Sequence, residues 1–283
     1  MVSEAGNSLI GFFDSGVGGL SVWQEVIHRL PRNRTIYVAD SFHCPYGART
    51  TSEITDFSRS ISRFLIQRGV GLIVVACNTA SAASLETLRA EFPIPFVGME
   101  PAVKPAAQCT LSGHVGVLAT EGTFNGDLFR NTSARFTNGV TLHVQVGEGL
   151  VELVEAGQAE SLAAETLLSR YLSPMLAAGV DQIALGCTHY PLLLPVLQRM
   201  VPEGVSIIDP ALAVACQVER VLNSMTVVSP TAVEDVDHAG LGYRFFSTGE
   251  VEVLARLATS IAGWPMSVER LVWNGSALDL VER

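Results

Sequence analysis

The chain has 283 residues, 48% of them apolar and only 16% charged, with 28 Asp+Glu against 18 Lys+Arg and a formal charge of −10. Globular chains carry roughly 25% charged residues, so this is the composition of a core-rich folded protein; it excludes disorder, and an acidic chain without a basic run is a poor partner for nucleic acid. The apolar runs, such as 72–77, fall well short of the roughly 20 residues that cross a bilayer, and residues 1–8 lack the basic n-region of a signal peptide, so no membrane association and a cytoplasmic location are expected.

Short runs rich in Val, Ile and Leu alternate with longer amphipathic segments, the pattern of parallel sheets covered by helices, and the fold class expected is α/β. In chain order the spacing predicts strands at 8–13, 34–39, 71–76, 95–98, 114–119, 141–146, 182–185, 206–208 and 243–247. Helices are predicted over 20–30, 51–67, 80–91, 126–136, 160–177, 191–200, 211–225 and 251–262. An internal echo argues for two similar three-layer lobes: 72–81 reads Leu-Ile-Val-Val-Ala-Cys-Asn-Thr-Ala-Ser, and 182–191 reads Gln-Ile-Ala-Leu-Gly-Cys-Thr-His-Tyr-Pro. Each copy is a strand, a small residue, a cysteine and then polar residues at the start of a helix. Ligands of open parallel sheets gather at the carboxyl ends of strands, so two such ends imply two lobes facing one cleft.

Several chemistries are excluded by what the chain lacks. Lys104 is the single lysine and lies between Val103 and Pro105, away from any glycine loop, so neither pyridoxal phosphate chemistry nor a P-loop has its lysine. The five cysteines, at 44, 77, 109, 187 and 216, form no CxxC pair and give no zinc or thioredoxin pattern. No metal and no cofactor is expected.

Three segments carry candidate chemistry. Asp14 ends the first strand and precedes Ser15, Gly16, Val17, Gly18 and Gly19; Ser21 stands where a dinucleotide fingerprint needs its last glycine, so the turn reads as a nest of N–H groups suited to a carboxylate. The loop Asp40 to Gly47 has the Pro and Gly content of a shaped turn, and His43 and Cys44 read as structural residues within it. Cys77 and Cys187 each follow a strand, and the helix terminus expected after Cys77 favours its thiolate; His189 is close enough to Cys187 to share its proton. Cys109 and Cys216 read as structural. Two thiols on facing lobes fit a dithiol redox couple, a thioester mechanism, or a pair of acid/base groups on opposite faces of one carbon, the last because the reference thiol pKa of about 8.5 leaves both forms accessible near neutrality.

Taken together, Asp14-Ser-Gly-Val-Gly-Gly-Leu20, Cys44-Pro-Tyr-Gly47, Ala76-Cys-Asn-Thr-Ala-Ser-Ala82 and Leu185-Gly-Cys-Thr-His-Tyr-Pro-Leu-Leu193 closely resemble the glutamate racemase family, and weaker matches at Glu100-Pro-Ala, 116–123, 151–157 and 247–250 extend the likeness over nearly the whole chain. The resemblance implies cofactor-independent interconversion of L- and D-glutamate for peptidoglycan, in a two-lobed α/β protein with a central cleft. It also implies lobes of 1–98 with 209–283, and of 99–208, around a small-molecule substrate, with no nucleic acid required; a homodimer is compatible with it. By the same resemblance Cys77 and Cys187 are the two acid/base residues, the first acting on the D-isomer and the second on the L-isomer, with Asp14, Glu155 and His189 tuning them or aiding proton transfer. Asp14, Ser15, Tyr46, Gly47, Asn78, Thr79, Thr123 and Thr188 match substrate contacts, and Pro45 shapes its loop. The sequence departs from the family at Gly147 and Glu148, where a Cys-Pro pair is usual, and at 41–44, which reads Ser-Phe-His-Cys. Aspartate racemase, a binding module and a cysteine hydrolase built on Cys187 and His189 are the competing readings.

Overall fold

The computed structural model describes residues 8–100, 102–225 and 242–281; Pro101 of the Glu100-Pro-Ala match and the segment 1–7 lie outside them. The first third of the chain alternates strictly: β1 (Ile10–Asp14), α1 (Leu20–Arg29), β2 (Thr35–Ala39), α2 (Thr51–Gln67), β3 (Leu72–Val75), α3 (Asn78–Glu91) and β4 (Phe96–Gly98). There follow α4 (Val103–Cys109), β5 (His114–Ala119), α5 (Glu121–Asn125), α6 (Asp127–Phe136), β6 (Thr141–Val146), α7 (Leu150–Glu155), α8 (Leu162–Ala177), β7 (Gln182–Gly186), α9 (Leu194–Met200) and β8 (Ser206–Ile208). The chain ends with α10 (Ala211–Ser224), β9 (Tyr243–Ser247), α11 (Glu252–Ala262), β10 (Val268–Asn274) and β11 (Ala277–Leu280). Among the described residues no helix is long and apolar enough to cross a membrane.

The strands form two sheets, as the α/β expectation requires. The larger has the order β11-β10-β9-β2-β1-β3-β4 and the smaller β6-β5-β7-β8. Every pairing is parallel except that of β10 with β11. The doubling heard in the sequence is present in the topology: β2-β1-β3-β4 and β6-β5-β7-β8 are the same strand order read twice. Cys77 and Cys187 follow β3 and β7, the corresponding third strands. The sheets differ in size because β9, β10 and β11 extend the larger one beyond β2.

Burial explains the strand composition. All five residues of β1, and likewise of β2 and β7, are buried, since helices cover both faces of a parallel sheet and leave no solvated side. Helix limits follow local chemistry. Thr50 caps α2 in a reciprocal capping box with Glu53, and Ser161 caps α8. Three apolar clusters result. One packs α2 and α3 on the outer face of the large sheet, a smaller one packs α4 and α6 on the small sheet, and the largest runs through both sheets, joining Val74, Phe245, Leu118 and Leu185 with residues of α1, α8 and α10.

The elements that periodicity does not reveal are short or lie at the margin. Helices α4, α5 and α7 have seven, five and six residues, too few to establish a helical period. The hairpin of β10 and β11 turns on Gly275-Ser276 with Gly275 at φ 59°, and a Gly-Ser pair between alternating runs is the signal that predicts such a turn.

One buried polar residue fastens this hairpin to the rest. Asp40, fully buried just beyond β2, accepts hydrogen bonds from Trp273 Nε1 (2.8 Å), the Thr248 hydroxyl (2.7 Å) and the Tyr46 hydroxyl (2.6 Å), and pairs with His43 Nδ1 at 2.9 Å. Trp273→Phe, which removes one donor and keeps an aromatic ring, is expected to cost about 1–2 kcal/mol in urea unfolding, whereas Asp40→Ala, which strands several donors, is expected to cost about 3 kcal/mol or more. Equal losses for the two variants would show that Asp40 does not tie these segments together.

Candidate active site

The glycine-rich turn after β1 is filled by the protein's own carboxylates. Asp14 Oδ2 accepts the backbone N–H groups of Gly16 and Gly19, each at 3.1 Å, and Oδ1 accepts the Thr188 hydroxyl at 3.1 Å. Val17 N–H donates to Glu155 Oε1 at 2.7 Å. The nest that the sequence offers to a carboxylate is therefore occupied by Asp14 and Glu155. The glycines answer to space, since Gly16, Gly18 and Gly19 are outside the left-handed region. A Cβ at Gly16 would fall on the Glu155 carboxylate, and one at Gly18 would lie 2.6 Å from the His189 backbone nitrogen.

Cys77 follows β3 and is the N-cap of α3, its sulfur accepting Ala80 N–H at 3.4 Å and lying 3.9 Å from the Ser15 hydroxyl. A helix terminus alone favours the thiolate, but here burial and then the Asp14 charge outweigh it and hold Cys77 well above the ordinary thiol value. The expected lowering by the helix is thus overturned by desolvation. Cys187 differs from its counterpart. It precedes a turn and a short 3₁₀ segment, Tyr190–Leu193, so the helix start predicted there is displaced to α9. Its Sγ faces His189 Nδ1 at 3.8 Å, and His189 Nε2 meets Glu155 Oε1 at 2.6 Å. Burial opposes a charge on His189, but its contacts with Cys187, Cys44 and Glu155 prevail and hold the imidazole well above its usual value.

Both thiols line one narrow, nearly closed cavity of about 10 Å³, together with Ser15, Asn78, Thr79, Thr188 and His189. Pro45, Tyr46 and Gly47 close its side from the loop after β2, with Cys44–Pro45 in cis. Asn78 is buried with both amide atoms unpartnered among the described residues, so the cavity holds polar capacity available to a ligand. A run of hydroxyls, Thr79 to Thr120 (2.9 Å), Thr120 to Thr123 (3.1 Å) and Thr123 to the Gly186 carbonyl (3.1 Å), links α3 to the end of β7.

Not every predicted residue meets the cavity. Thr123 lies behind Thr120, which lines it, as does Val151. Asp14 and Glu155 stand behind Ser15, Thr188 and His189 and reach the cavity through them. Thr120 is the residue that sequence reasoning missed; its signal is its place at the end of β5, the strand corresponding to β1. Cys44, read as part of a structural turn, instead lies against His189, and burial pushes its thiol up to about 11. His43 does serve the turn, pairing with Asp40. At the departure from the family pattern, a side chain on Gly147 would collide with the Tyr190 hydroxyl, which donates to the Gly147 carbonyl at 3.1 Å.

The sequence profile of the Asp/Glu/hydantoin racemases matches residues 19–218. Glutamate racemase of Pseudomonas aeruginosa is 41% identical over 267 residues, covering 94% of this chain and 98% of that one. Glutamate racemase of Roseiflexus sp. is 49% identical over 214 residues, 75% and 79% of the two chains. The crystal structure of Escherichia coli glutamate racemase, in complex with L-glutamate and the activator UDP-MurNAc-ala, superposes with a TM-score of 0.83 at 34% identity, covering 95% of this chain and 100% of that one.

The close approach at Gly18 yields a measurable consequence. Gly18→Ala is expected to push His189 off Glu155 and Cys187, so that the imidazole titration, followed by nitrogen NMR, falls toward the ordinary value of about 6.5. An unchanged titration in the folded variant would mean that the loop does not hold the histidine in place.

Proposed function

The chain belongs to the Asp/Glu/hydantoin racemase family, and we propose that it is a glutamate racemase of the cytoplasm, interconverting L- and D-glutamate without a cofactor and supplying D-glutamate for peptidoglycan. The observation that carries this reading is that the two thiols, one from each repeat of the strand order, line the same cavity. Inverting a stereocentre removes the α-proton on one side and returns a proton on the other. A single base is badly placed for both tasks, and two matched groups on opposite walls are well placed for them.

In this scheme the lobes 1–98 with 209–283, and 99–208, supply one thiol each. The Cys77 thiolate takes the proton from D-glutamate while the Cys187 thiol delivers one, and the roles exchange for L-glutamate. His189, between Cys187 and Glu155, steadies Cys187 in both forms. Burial, and then the charge of Asp14, keep the Cys77 thiolate strongly basic, which suits abstraction of a weakly acidic carbon proton. With the lone Lys104 far along the chain on α4, substrate carboxylates depend on neutral donors: the Asn78 amide and the hydroxyls of Ser15, Thr79, Thr120 and Thr188, with Tyr46 and Gly47 from the facing loop. Pro45 and Thr123 act by holding these groups in position. Such donors, fixed in advance, favour the carbanion-like transition state, and loss of one typically costs about 3 kcal/mol.

Cys77→Ala and Cys187→Ala are each expected to lower racemisation by about 10²–10⁴-fold or more, measured by circular dichroism with L- and with D-glutamate. In deuterated buffer the wild-type product is expected to carry deuterium at Cα. A single variant with near-normal turnover, or product free of label, rejects the two-thiol scheme; turnover of L-aspartate in place of L-glutamate rejects the substrate.

The pH dependence tests the electrostatics. The active form holds one proton on the thiol pair, and its loss requires Cys77 to ionise against burial and Asp14. Activity is therefore expected to persist well into the alkaline range. Asp14→Asn removes a negative charge beside the thiol, which makes its ionisation easier, so the alkaline fall of kcat/KM is expected to move to lower pH. A shift to higher pH would contradict the assigned coupling.

A further inference from the structure

The loop preceding the cavity brings a third thiol to the pair of residues behind Cys187. Cys44 Sγ, a ring nitrogen of His189 and a carboxylate oxygen of Glu155 lie within 4.8 Å of one another. These are a thiolate, an imidazole and a carboxylate from three separate segments: the loop after β2, the turn after β7, and the end of α7. His189 is buried, and Cys44 and Glu155 are half-buried, so the cluster is sheltered and still reachable from the cleft. Sequence reading assigned Cys44 to a structural turn and expected no metal.

We infer that Cys44, His189 and Glu155 form a binding site for a borderline-soft divalent cation of the zinc type, and that occupancy switches the active site off. The donor set decides the class of ion. Zinc and cobalt bind sulfur, nitrogen and carboxylate oxygen together, and three protein ligands leave a fourth position open. Magnesium and calcium call for oxygen ligands throughout and find one donor here. With zinc–ligand distances of about 2.0–2.3 Å, tetrahedral neighbours stand about 3.5 Å apart, so side-chain rotation of about 1 Å closes the cluster on an ion. Cys44 gives up its proton to solvent on binding and becomes the thiolate ligand, so affinity rises with pH.

Inhibition follows from which groups the ion takes. His189 and Glu155 are held to each other at 2.6 Å and His189 faces Cys187 at 3.8 Å; an ion that ligates both His189 and Glu155 breaks this relay. Inhibition presupposes the racemase reading of the site, whereas metal binding does not.

The test titrates reduced, metal-free protein with Co²⁺, whose thiolate charge-transfer band in the near ultraviolet reports sulfur ligation, and measures Zn²⁺ inhibition in parallel. Wild type is expected to develop the band at one equivalent and to lose activity to Zn²⁺, reversibly with a chelator, while Mg²⁺ and Ca²⁺ have no effect. Cys44→Val is expected to lose the band and, relative to its own metal-free activity, to need at least about 10-fold more Zn²⁺ for inhibition, the lower bound being what even an outer-shell change costs a metal site. Cys187→Ser, inactive by the scheme above, is expected to keep the band. Persistence of the band in Cys44→Val, its loss in Cys187→Ser, or equal Zn²⁺ inhibition of wild type and Cys44→Val overturns the assignment. Should the protein prove inactive on amino acids altogether, the cobalt spectra of the same three proteins still decide whether the metal site exists.

Discussion

The arrangement rests on two acidic side chains, one buried and one half-buried, packed against one turn of backbone. Asp14 ends β1 and Glu155 ends α7, and the two converge on the N–H groups of residues 16, 17 and 19. Burying a carboxylate is costly unless hydrogen bonds replace its water, and here the turn supplies them at the start of α1. That requirement dictates the glycines: the carboxylate of Glu155 and the backbone of His189 occupy the volume where side chains at 16 and 18 would stand. The same pair of acids governs the electrostatics. Glu155 helps keep His189 cationic, and Asp14 adds to burial in keeping Cys77 protonated at rest.

Around this centre the chain repeats one strand order twice and adds a cap to one copy. The two thiols gain equivalent positions from the repeat. Their surroundings then diverge, a hydroxyl and a backbone N–H for Cys77 and an imidazole for Cys187. The added strands serve the loop opposite the thiols: Trp273 and Thr248 meet at Asp40, which also holds the Tyr46 hydroxyl and so fixes the wall formed by residues 45–47. A terminal hairpin far along the sequence thus contributes rigidity to the cavity.

The sequence makes the sheets and the thiols legible because parallel strands buried on both faces leave unmistakable apolar runs, and because the cysteines close two such runs in the same way. The helices α5 and α7 escape notice since five or six residues cannot show a period, yet α7 carries Glu155. The contact made by Cys44 is hidden from sequence for a different reason. A turn residue gives no periodic signal of where it points, and only the packed structure reveals that it faces His189. The Gly-rich turn is legible in sequence as a nest suited to a carboxylate, but that Glu155 enters it is not, since Glu155 lies 138 residues away from Val17 in sequence.

The unequal surroundings of the two sulfurs carry a thermodynamic corollary. Mirror-image amino acids have the same free energy in water, so their equilibrium constant is unity whatever catalyst joins them. An enzyme with dissimilar walls cannot favour one enantiomer at equilibrium; it can only bind one more tightly and turn it over more slowly, in compensating proportion. On the proposed two-thiol scheme, the imidazole on one side and the hydroxyl on the other therefore shape saturation and speed for each hand separately, and the excess of either isomer in a living cell must be set by whatever removes it.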